Sequence, residues 1–216
     1  MGLNTSESKT YLSILSSDGS IRQQVDEHTE GAVHREYETS DGKKGEKWEL
    51  KFSSFNGMIK DVRFREGDYG TQILIDLEDD EDNEYVLALP TASNFGEQFM
   101  MRLPNLNLDE EVTLKPYSFP PDKKNKDKRL RGITIMQDDE KVEDYFTEVT
   151  EGKDGKKKYK TLHGMPEPDK KKKYNSEKWK IFFAERREWL IDYLVDNDLA
   201  KAAEPMEEET KDDEDF

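Results

Sequence analysis

Along EVTLKPYSF, residues 111–119, Lys115 and Tyr117 fall at alternate positions, while Val112, Leu114 and Pro116 fill the places between them. Successive side chains of an extended strand point to opposite faces, so the lysine and the tyrosine share one face and the apolar residues take the other. An aromatic face for a base beside a cation for phosphate is what sequence-tolerant binding of a single strand requires. The same chemistry recurs elsewhere. Arg63 and Arg65 alternate with Val62 and Phe64, and Tyr69 follows in the turn GDYG. The run PPDKKNKDKR, residues 120–129, gathers Lys123, Lys124, Lys126, Lys128 and Arg129 against Asp122 and Asp127, and Arg131 lies just beyond it. Trp48, in WELKFSSF, can stack on a base or pack in a core. The plainer alternatives are that Tyr117 packs in the core or at an edge, Tyr69 is an exposed turn residue and the two arginines merely solvate a strand.

Catalytic chemistry has little to work with. His28, His34 and His163 are scattered, and there is no glycine-rich phosphate cradle and no nucleophile elbow. The acidic run Glu78–Glu84 lacks the central glycine and the closing glutamate of a calcium loop, so it reads as a solvated turn. No catalytic residue, metal or cofactor is implied, and the expectation is a protein that is not an enzyme.

The elements that must position these residues are short and strand-like. TYLSILS (10–16) and WELKFSSF (48–55) read as strands. Between 58 and 90, three runs with Met58, Val62 and Phe64, then Ile73, Ile75 and Leu77, then Tyr85, Leu87 and Leu89 on one side read as a meander. TASNFGEQFMMRL places Phe95, Phe99 and Leu103 at helical spacing with Thr91 or Ser93 as cap. Strands at 111–119 and 130–137 follow. Strand, strand, strand, helix, strand, strand predicts a mainly β fold built on a five-stranded Greek-key barrel of the oligonucleotide-binding type. The boundaries expected are an N-terminal strand extension at 1–54, the barrel at 55–137 and a lysine-rich mobile linker at 138–174. A helix at 175–199 and a disordered acidic tail at 200–216 complete the chain. In the helix, Trp179, Phe183, Arg186, Leu190, Tyr193 and Leu194 form a stripe that Phe182 and Trp189 broaden. So wide a stripe needs a partner, either the barrel or a second subunit in a homodimer.

The chain has 216 residues, 39% of them charged, and a formal net charge of -16. The charge is segregated: residues 204–216 alone hold eight acids against Lys211, a net of -7. Net negative charge therefore does not exclude nucleic acid as a partner. With no cysteine, no apolar run of membrane-spanning length and no basic-then-apolar leader, a soluble protein that is neither secreted nor membrane-bound is expected.

The chain closes on Asp212, Asp213, Glu214, Asp215 and Phe216. Such a segment can seat its ring in an apolar pocket while its acids meet a basic rim, and it can also compete for the chain's own basic surface. With the barrel order and the lysine-rich strand loop, this end resembles bacteriophage-type single-stranded DNA-binding proteins. The resemblance implies coating of single-stranded DNA in replication, recombination and repair, recruitment of replication or recombination proteins through the tail, and residence in the cytoplasm of an infected host cell. A departure from the bacterial relatives is that a helix, not a long glycine- and proline-rich linker, precedes the tail. The competing readings are a protein-interaction module, an acidic DNA mimic that inhibits a DNA-binding enzyme, and a nuclease.

Overall fold

The structure, a computed structural model, describes residues 9–39, 42–67, 70–121, 129–151, 157–169 and 171–204. Four strands lead in: β1 (Thr10–Leu15), β2 (Ser20–Val25), β3 (Val33–Glu38) and β4 (Lys44–Phe52). The meander follows as β5 (Phe55–Arg65), β6 (Gln72–Glu78) and β7 (Glu84–Pro90), then helix α1 (Asn94–Met100), and then β8 (Val112–Phe119) and β9 (Leu130–Gln137). Beyond these come β10 (Glu140–Lys141), the hairpin of β11 (Thr147–Glu151) and β12 (Lys157–Thr161), helix α2 (Ser176–Asp196) and β13 (Lys201–Glu204).

These strands do not form the expected five-stranded barrel. Eleven of them make one large mixed sheet in the order β10-β9-β8-β5-β6-β7-β1-β2-β4-β3, with β13 on β5, and among the described residues no pairing joins the two ends. The fold reading and the family resemblance built on a closed barrel are corrected accordingly. The reason lies in who occupies the edges that closure would need. The outer edge of β7 is taken by β1, which pairs parallel to it from Thr10↔Tyr85 to Leu12↔Leu87. The outer edge of β9 is held by side chains of α1 and, at its end, by β10. Each edge is thus engaged by another partner and not by the other strand.

β5 is the pivot of the sheet. Its first residues, Phe55–Gly57, pair with β8, its later ones with β6, and its last, Arg63 and Arg65, lie beside Lys201 and Glu204 of β13. The core sits between the sheet and the helices: Phe64, Ile73, Ile75, Leu87, Phe99 and Leu194 are fully or almost fully buried in it. A second, smaller cluster joins Met101, Phe146, Met165 and Leu190, with Trp189 and Tyr193 packed against it. Thus the C-terminal half of α2 is covered by the body of its own chain. Its start is fixed by Asn175, whose Oδ1 accepts from the Lys178 amide at 2.9 Å.

Two further segments differ from expectation. Residues 138–174, read as a linker, include β10 and the two-stranded sheet of β11 and β12. Residues 201–204, read as the start of the tail, are β13. The remaining tail, from 205, lies outside the described residues. Among the described residues no helix is long and apolar enough to cross a membrane.

Candidate functional site

The face that the alternation of β8 predicts is present. Val112, Leu114 and Pro116 are buried, Lys115 is exposed and Tyr117 is half-buried. The β8–β9 register sets Lys115 opposite Thr134, Tyr117 opposite Gly132 and Phe119 opposite Leu130, so these residues share one surface. Tyr117 and Phe119 stack, with ring centroids 5.3 Å apart and planes 24° from parallel. Phe119 is 57% exposed and Leu130 61%. A stacked pair, Phe119 exposed and Tyr117 half-buried, thus stands at this end of the hairpin. Arg129 closes that end, donating from Nε to Ser118 Oγ at 3.1 Å.

Glycine makes this arrangement possible twice. A Cβ on Gly132 would collide with the Tyr117 hydroxyl and the Gln98 amide, which both approach the space above it. Through that space Gln98 of α1 reaches the edge of β9, accepting from the Ile133 amide at 3.1 Å and donating to the Arg131 carbonyl at 3.3 Å. Gly19, in the β1–β2 turn at φ +70°, rests on the backbone of Tyr117 and Ser118, where any side chain would overlap. The turn also supplies the Ser16 carbonyl to Ser118 Oγ at 3.0 Å. The aromatic pair is therefore carried on backbone braced by β9 and by the first hairpin.

The other residues predicted for the site are distributed differently. Arg63 is committed: its Nη1 lies 2.7 Å from Asp76 Oδ2, and only a quarter of the side chain is exposed. Lys9 holds the same carboxylate at 3.1 Å, and although burial opposes it, these cations keep the Asp76 carboxyl below its ordinary range. Arg65 donates to Gln72 at 2.9 Å. Trp48 is on β4, 4.9 Å from the His34 ring, in the hairpin at the far end of the sheet order. Arg131 pairs with Ser118, on the opposite face from Tyr117; it is half-buried, and among the described residues its Nε has no hydrogen-bond partner. Tyr69, Lys123, Lys124, Lys126 and Lys128 lie outside the described residues, as do Asp212, Asp213, Glu214, Asp215 and Phe216. Phe119 and Leu130 were not singled out in the sequence. Phe119 shares parity with Lys115 and Tyr117, which was the available signal.

The strongest electrostatic network lies elsewhere, around buried Glu49 of β4. Arg35 donates to both of its oxygens at 2.8 Å, Lys47 lies at 2.9 Å and Arg22 at 3.9 Å. The Arg35 hydrogen bonds outweigh burial and hold the Glu49 carboxyl at about 2. This network joins β2, β3 and β4. Among the described residues no three metal-ligating side chains converge.

Comparison with known proteins gives no match: no protein-family model, no curated protein and no solved structure is similar to this chain. The resemblance to phage single-stranded DNA-binding proteins therefore has neither the barrel nor a detectable relative behind it. What remains is a mainly β chain with one large mixed sheet and, on β8 and β9, a face that exposes Lys115, Phe119 and Leu130.

Proposed function

We propose that this protein binds single-stranded DNA, without strong sequence preference, on the β8–β9 face. The observation that supports this is the stacked Tyr117–Phe119 pair, Phe119 exposed and Tyr117 half-buried, with Lys115 on the same face of β8. Every base has a π-face, so an aromatic platform accepts any sequence, and the neighbouring cations meet the backbone. In the sequence, the lysine run 123–128 joins β8 to β9 and adds positive charge next to Phe119 and Leu130 along the chain. On this reading the acidic segment ending in Phe216 recruits partner proteins of replication or recombination.

The test is anisotropy of labelled oligo-dT, duplex DNA and oligo-U against the full chain across a salt series. Oligo-dT binds, duplex binds more weakly, and affinity falls with salt by roughly 0.7 in log-log slope for each cation engaged. Y117A/F119A weakens binding by roughly 5- to 150-fold, the range for loss of a stacked base. A folded native chain that ignores oligo-dT at low salt sinks the reading, and a preference for oligo-U would move it to RNA.

A further inference from the structure

The first half of α2 carries a partly exposed aromatic surface. Tyr174 packs on Trp179 at 4.7 Å, and Trp179 stacks on Phe183 at 5.4 Å with planes 21° apart. Trp179 and Phe183 are four residues apart and so lie on one side of the helix. They are 37% and 46% exposed, while Phe182 beneath them is buried. Lys180, Phe183 and Arg187 line a cleft of about 430 Å³ whose other wall is Thr91, Ala92 and Glu97.

Charge says what could cover this surface. In a chain of net charge -16, residues 171–187 hold seven cations against two carboxylates, a local net of +5. Among the described residues Lys178, Lys180 and Arg187 make no ion pair. Two copies of so basic a face repel each other, so an anionic partner fits better than a second copy. The surface also adjoins the β8–β9 face. Gln98 of α1 shares the space above Gly132 with the Tyr117 hydroxyl, and its neighbour Glu97 pairs with Arg186 of α2 at 3.0 Å. One helix of seven residues, about 10 Å long, thus lies between the two aromatic surfaces.

We infer that the exposed face of α2 is a second contact for the same single strand of DNA, with Trp179 and Phe183 stacking on bases and Lys178, Lys180 and Arg187 meeting phosphates. This rests on the binding reading above and extends it across α1.

Two measurements test it. A W48F/W189F version leaves Trp179 as the sole tryptophan, and its emission is quenched by oligo-dT to saturation. In anisotropy, W179A/F183A, with unchanged circular dichroism, weakens oligo-dT binding about tenfold or more, and K178Q/K180Q/R187Q lowers the salt slope by about 2. If Y117A/F119A weakens binding while W179A/F183A does not, and Trp179 emission stays constant, the α2 contact is wrong and the β8–β9 reading survives. The reverse pattern keeps α2 and removes β8–β9. A change in sedimentation of W179A/F183A with unaltered oligo-dT binding makes the face an interface between copies and overturns the proposal. Absence of any binding by the native chain overturns both readings.

Discussion

Glu49 is the residue on which the first hairpins depend. Its side chain is 1% exposed and three cations surround it. Removing one partner from a buried charge network leaves the others desolvated and unpaired, at a cost of about 3–5 kcal/mol. Glu49→Gln is therefore expected to lose about that much stability in urea unfolding at neutral pH. The pH dependence has a definite sign. The folded carboxyl titrates at about 2 and the ordinary value is 4.5, so its stabilisation is complete above 4.5 and is lost as pH falls toward 2. It amounts to about 3 kcal/mol at neutral pH. In the Gln variant this part of the acid limb flattens; a variant as stable as the native chain would refute the role. The sequence shows why such a residue is hard to read. Alternation places Glu49 and Arg63 on faces, but not the partners that faces meet: Arg63, read as a free guanidinium, is spent on Asp76. The alternation of Lys115 and Tyr117 against Val112, Leu114 and Pro116 was legible because it is local and the latter three are buried.

At the scale of elements, the decisive contacts are those that occupy strand edges. Gln98 makes two hydrogen bonds to the β9 backbone, and Gln98→Ala leaves the Ile133 amide and the Arg131 carbonyl without that partner. A loss of about 1–3 kcal/mol is expected, with faster hydrogen exchange at Ile133 than at the Ile135 amide deeper in the strand. Gly132→Ala forces the same separation from the other side, because the added methyl meets both Gln98 and Tyr117. Unchanged exchange in both variants would show that α1 does not guard the edge. The hairpins β5–β6–β7 and β8–β9, the Ser93 cap of α1 and the helical period of α2 are local features, and the sequence carries them openly. Barrel closure is not local. It turns on whether β7 meets β9 or β1, and the period of residues 10–15 is the same in either case. β13, with two alanines in KAAE, and β11 and β12, rich in charge, lack the apolar alternation that marks a strand.

For the whole molecule, the proposed binding of a polyanion by an acidic chain rests on the separation of its charge. The β8–β9 and α2 faces are locally basic, while residues 205–216 hold seven acids and one lysine, a net of -6. That segment follows directly on β13, which is fixed to β5 by its pairing and by Lys201 on Asp61 at 2.8 Å. A version ending at Glu204 therefore keeps the strand and removes only acidic chain. Repulsion of DNA by that segment, and competition for the basic faces, both oppose binding. The shortened version is expected to bind oligo-dT more tightly than the full chain at low salt. The advantage must shrink as the screening length falls from about 10 Å at 0.1 M to about 3 Å at 1 M salt, because it is carried by charges and not by stacking. The effects of Y117A/F119A and W179A/F183A, in contrast, persist at high salt, since ring faces are not screened. Equal affinities of the two lengths at every salt concentration would show that the acidic segment leaves the binding faces alone, and would confine its role to recruiting other proteins.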